Sequence, residues 1–132
     1  FRPDAMLFRT AALALLINAA PLTTLGQPPP DAVINLKKAF TAAQEGRTKN
    51  AVALLDVAVR DFAKEPADER AALYKTRGAL RLALSDAAGA VDDLTEAIRL
   101  AEEPEARAAA DPAELQRTYQ LRARAHERLS LW

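Results

Sequence analysis

Cysteine is absent from the chain, which excludes disulfides, thiolate zinc sites, Cys nucleophiles and an acylated Cys behind a leader. Histidine is nearly absent too. The single His126 has no Ser, Cys or second His at a spacing that would join it in a site, so it reads as a surface side chain. There are four glycines and no Gly-rich phosphate loop, and neither an HExxH pair nor a nucleophile elbow occurs. No enzyme, cofactor or metal is expected. An excess of either charge is also missing. With 18 Lys and Arg against 18 Asp and Glu, no overall field recommends nucleic acid as a partner. No stretch alternates with period two while carrying β-branched residues, so no strands are expected.

What remains is helical material. Half of the residues are apolar but only 5% are aromatic, and Ala and Leu dominate, a composition that favours thin, closely packed helices over one thick core. At 132 residues the chain makes one domain at most. Its first 26 residues read as a bacterial-type signal peptide starting near Met6. Arg9 supplies a basic n-region, and Ala11 to Ala20 form an apolar stretch too short to span a bilayer. Thr24-Leu25-Gly26 offers a small-residue cleavage site. Residues 27–31, with Pro28-Pro29-Pro30, form an extended linker. The expectation is an exported chain, periplasmic or extracellular, with membrane contact only if the leader stays uncleaved as an anchor.

From Asp31, expected as an N-cap, the helical pattern begins. Val33, Leu36, Phe40 and Ala43 recur at spacings of three and four before Gly46, predicting a helix over 32–44. Ala51, Leu55, Ala58 and Phe62 form the apolar face of a second helix over 49–62, closed by Pro66. A third helix is expected over 67–84 and a fourth over 87–101, joined at Ser85-Asp86, where Asp86 can cap the orphan amides of the fourth. A charged, Ala-rich connection follows. Then Asp111-Pro112-Ala113-Glu114 opens a fifth helix, with Asp111 as N-cap, Pro112 in the first helical position and Glu114 as the reciprocal acceptor of a capping box.

The hairpin from Tyr74 to Leu100 is the unit that recurs. Its small residues Gly78, Ala90 and Ala97 let two helices approach closely, and Ala39, Ala51 and Ala58 stand 39 residues earlier in the same order. A partial third copy runs from Thr118 to Ser130, where Tyr119, Arg122, Ala123, Leu129 and Ser130 match Tyr74, Arg77, Gly78, Leu84 and Ser85. This pattern resembles the tetratricopeptide repeat family, in which each unit is a helix hairpin with small residues at these crossings. Tyr74 and Tyr119 match the aromatic that starts the first helix of a unit, and Pro66 and Pro104 approximate its late proline. The units are longer than the usual length of about 34 residues, and Asn35 and Lys38 stand where the first copy should be apolar. The resemblance implies an all-α fold of antiparallel helix hairpins stacked as a short right-handed solenoid over 32–132, with units at about 32–66 and 67–104 and a partial third at 111–132. About three units are normally needed for independent stability, so in a chain ending inside the third the last helix is either a terminal cap or part of a fragment, and the opening on Phe1 tips the expectation toward a fragment.

What the resemblance implies about function is an exported scaffold that binds a protein or peptide on its concave surface. The alternative is a structural segment that positions part of a larger enzyme or assembly protein. The candidate groove residues are Val33, Leu36, Phe40, Lys75, Ala79, Leu82, Arg117, Gln120, Arg124 and Arg128. Two of these sets carry open alternatives. The stripe of Val33, Leu36, Phe40 and Ala43 faces the groove in one register, while a shifted register buries it or another segment of the same chain covers it. Between Asp86 and Glu114 there are nine acids and two bases, and between Arg117 and Arg128 four arginines and one acid. Arg117, Arg124 and Arg128 therefore form either a basic inner surface for an acidic ligand or the complement of the fourth helix. Asp92, Asp93 and Glu96 read as a solvated face. Self-association through the last helix is a further expected contact.

Overall fold

A computed structural model describes residues 30–130. The leader and the residues 27–29 of the linker lie outside the described residues. The described chain is all-α, with six helices and no strand among the described residues. They are α1 (Pro30–Gln44), α2 (Thr48–Asp61), α3 (Ala67–Ala83), α4 (Ala87–Ala101), α5 (Pro104–Ala109) and α6 (Pro112–Ser130). None of them is long and apolar enough to cross a membrane.

The first helix begins earlier than the sequence pattern suggests. Pro30 and Asp31 belong to α1 and not to a linker. Proline has no amide hydrogen to lose in a first turn, and the Asp31 carboxylate there faces the positive end of the helix dipole. α1 stops at Gly46, whose φ of +80 puts it in the left-handed region that glycine enters without strain. Gly46 N–H donates to the Ala43 carbonyl at 3.2 Å and Arg47 N–H to that of Ala42 at 2.8 Å, the paired bonds of a Schellman ending. The end of α3 repeats this turn 39 residues later. Ser85 N–H donates to Leu82 O at 3.0 Å and Asp86 N–H to Arg81 O at 2.8 Å, with Ser85 at φ +66. Asp86 then caps α4 as expected, its Oδ1 accepting from Gly89 N–H at 3.0 Å.

The connection after α4 is not a plain loop. Pro104 occupies the first turn of the short helix α5, where its missing amide costs nothing, and the Ala-rich run behind it extends the helix to Ala109. The start of α6 agrees with the sequence reading, since Asp111 Oδ1 accepts from Ala113 N–H at 3.0 Å.

Each long helix packs on its neighbour in chain order: α1 on α2, α2 on α3, α3 on α4 and α4 on α6, with α5 touching α3 and α4. Two apolar cores result. The first joins Leu36 and Phe40 of α1 to Leu55 of α2, to Phe62 just beyond it and to Leu73 of α3; the second joins Leu82 of α3 to Ala90 and Leu94 of α4 and Ala125 of α6. α3 serves both. The small residues expected at the crossings, Ala39, Ala51, Ala58, Gly78, Ala90 and Ala97, are all buried. Gly78 is the tightest of them. A Cβ there would sit 2.9 Å from Leu94 Cγ and 3.2 Å from Asp93 Cβ, so the α3–α4 approach admits no methyl without repacking.

The first turn of α3 carries an unusual carboxyl. Glu69 Oε2 is buried with no hydrogen-bond partner, and burial, with Asp68 adding to it, pushes the group up to about 8. Burial raises Glu65 as well. Between its ordinary value of 4.5 and about 8, Glu69 holds a proton in the folded chain that it lacks when unfolded. Its contribution to stability is therefore complete below 4.5 and is lost as the pH rises through 8. Urea unfolding should give a midpoint that falls from pH 5 to pH 8, and Glu69→Gln should flatten that slope, leaving a smaller one of the same sign from Glu65. An unchanged slope in the variant would refute the assignment.

Candidate functional site

Close approach at Gly78 sets two arginines, one turn apart on α3, against a carboxylate of α4. Asp93 is only 3% exposed. It accepts from Arg77 through both oxygens, at 2.9 Å from Nε and 2.7 Å from Nη2, and from Arg81 Nη1 at 3.0 Å. The remaining nitrogen of Arg77, Nη1, reaches Asp56 of α2 at 3.0 Å. Arg81 lies 3.6 Å from Asp56 and 3.8 Å from Asp86. The Arg77 guanidinium also rests over the Tyr74 ring, 5.5 Å from its centroid. Asp93 is thus not on a solvated face. It is the centre of an ion-pair network tying α2, α3 and α4 together. The network holds fixed charges in place.

The ten expected groove residues separate into three sets. Leu36, Phe40 and Leu82 are buried, at 0%, 8% and 8% exposure, and belong to the two cores. They offer no surface to a partner, which corrects the groove reading for these three. The reason is register: Leu36 and Phe40 face α2 and α3, and Leu82 faces α4 and α6. Val33 and Ala79 are half-buried. The polar members, Lys75 of α3 and Arg117, Gln120, Arg124 and Arg128 of α6, retain surface.

Arg128 of α6 reaches α3 directly, and Arg117 meets Lys75 of α3 through Glu114. Lys75 Nζ donates to Glu114 Oε2 at 2.9 Å, and the other oxygen of Glu114 is engaged by Arg117. Three turns further on, Arg128 Nη1 donates to the Leu82 carbonyl at 3.4 Å, near the C-terminal end of α3 where a cation is favoured. Arg124 and Gln120 between them are exposed. Burial, and then the Arg117 guanidinium, push the Lys75 ammonium down to about 8. Glu114, read from the sequence as the acceptor of a capping box, ties α6 to α3 through Lys75.

Among the described residues, no ion pair joins an acid of α4 to an arginine of α6. Arg122 reaches Thr95 Oγ1 at 3.4 Å and lies over Tyr119, whose hydroxyl donates to Glu102 at 2.8 Å. Asp93 is taken by α3, Glu96 by Arg99 of its own helix. His126 is exposed. Among the described residues no group of three or more His, Asp or Glu side chains is placed to hold a metal ion. No model of a known family, no curated protein and no solved structure matches the chain.

Proposed function

We propose that this chain is an exported interaction scaffold. In this reading its helices are tetratricopeptide-like hairpins stacked as a short right-handed solenoid, and an acidic segment of a protein or peptide binds along the side of α6 that faces α3. The observation that carries the proposal is the charge left over on that side. Lys75, Arg117 and Arg128 meet there around Glu114 and the end of α3, and Arg124 is exposed one turn before Arg128 on the same helix, while Asp93 and Glu96 of α4 are paired elsewhere. The hairpin reading is supported by two turns of the same hydrogen-bonding pattern, 39 residues apart, and by buried small residues at matching positions of both hairpins.

Selection of a random peptide display against the chain tests this. Sequences rich in Asp and Glu should be enriched, and their affinity should fall as salt rises. Arg124→Glu should weaken the selected peptides roughly three- to tenfold without lowering stability, because Arg124 is exposed. Enrichment of apolar peptides indifferent to both salt and Arg124 would overturn the proposal.

A further inference from the structure

Glu114 holds the position that a ligand carboxylate would need. One of its oxygens accepts from Lys75 Nζ at 2.9 Å and the other is engaged by Arg117, so a single carboxylate bridges two cations that otherwise repel each other. Two positive charges against one leave the spot short of negative charge. The contact is partly buried and opens to solvent at Arg117. Lys75 and Glu114 side chains are 16% and 20% exposed, and Arg117 is 52% exposed.

Stability alone does not call for a lysine here. The position 39 residues earlier, in the matching hairpin, is Leu36, which is fully buried in the first core. An apolar residue at position 75 would serve packing equally, since replacing a partly buried ion pair by apolar side chains of similar volume is often neutral or stabilising. The second hairpin instead keeps an ammonium that burial works against.

We infer that Glu114 is an intramolecular competitor, a built-in carboxylate that occupies Lys75 and Arg117 until an acidic peptide displaces it. The inference rests on the reading of this side of α6 as an acid-binding surface and adds how that surface is regulated. An incoming Asp or Glu side chain, or a chain-terminal carboxylate, takes the bridging position. Glu114 then swings out to solvent, and Arg124 and Arg128 extend the contact along α6. Ligand affinity is lowered by the cost of breaking the internal bridge, so weakly acidic segments are rejected while multiply charged ones bind.

The test is fluorescence anisotropy with a labelled octaglutamate peptide, titrated with the whole chain and its variants at pH 7 and low salt. Glu114→Gln should bind the probe about five- to tenfold more tightly than the unaltered chain. Glu127→Gln removes the same charge from an exposed position of the same helix and should shift affinity by less than about twofold. Glu114→Asp keeps the charge but is one methylene too short to bridge both cations, so it should gain affinity by an intermediate factor. This variant also serves if circular dichroism shows that Glu114→Gln has lost helix. Equal affinities for the unaltered chain, Glu114→Asp and any folded Glu114→Gln would overturn the competitor while leaving the acid-binding surface standing. Absence of binding by the unaltered chain and every folded variant would overturn both.

Discussion

Replacing Asp93 by asparagine should destabilise the chain by about 3–5 kcal/mol, read as a shift in the urea midpoint at unchanged slope. The side chain is 3% exposed and receives three hydrogen bonds from two guanidinium groups. Asparagine keeps the shape and one acceptor oxygen, but its amide nitrogen must point at guanidinium N–H groups, donor against donor. The substitution also strands two positive charges, for the Arg77 and Arg81 side chains are only 13% and 24% exposed. Removing one member of a buried pair is far costlier than replacing the whole pair by apolar groups. A loss of this size is a large part of the roughly 5–15 kcal/mol that holds a domain folded. Asp56 supplies the internal comparison. It contacts the same Arg77 at 3.0 Å but is 49% exposed, so Asp56→Asn should cost no more than about 1 kcal/mol. Equal, small losses at both positions would mean that water reaches the whole network and that Asp93 is not its buried centre.

Much of this arrangement was legible in the sequence, and the misses have physical causes. Helix starts were readable wherever a side-chain oxygen caps free amides, as at Asp86 and Asp111. The crossings were readable from the small residues. α5 was missed because Pro104 reads as a terminator, although a proline in a first turn followed by alanines extends a helix readily. Asp93 was misplaced because a carboxylate beside Asp92 looks solvated. Yet Ala90, Asp93, Leu94 and Ala97 lie at spacings of three and four on one face of α4, and Arg77 and Arg81 flank Gly78 on α3. A charge on an apolar stripe, opposite two arginines one turn apart, was the available signal. Lys75, Arg117 and Arg128 come together where α3 and α6 approach, but the placement of the apolar candidates follows family register, and register depends on which neighbour each helix meets. No local pattern states that α1 presents Leu36 and Phe40 to α2 and α3.

Phe40→Ala should therefore cost about 3–5 kcal/mol of folding stability and leave the affinity for an acidic peptide unchanged. Phe40 is 8% exposed and packs in the first core with Leu36, Leu55, Phe62 and Leu73. Its other companions in that core include Ala32, Ala39 and Ala58. Alanines have no side-chain torsions with which to move into the space a lost ring leaves, so the cavity stays and the cost lies toward the upper end. The two hairpins differ in this respect. At the positions matching Phe40 and Phe62, the second hairpin has Ala79 and Ala101, and both are half-buried. It does without the rings because α6 adds Ala125 to the core that Leu94 of α4 shares with Leu82 of α3, and because the Asp93 network ties its helices to α2. The first hairpin's core draws on α3 through Leu73 but has no matching ion-pair centre, since Leu54 stands where the second has Asp93. The aromatic pair is what gives the first hairpin its cohesion. A Phe40→Ala chain that kept its stability and instead lost peptide affinity would return Phe40 to the groove and require a different register for α1.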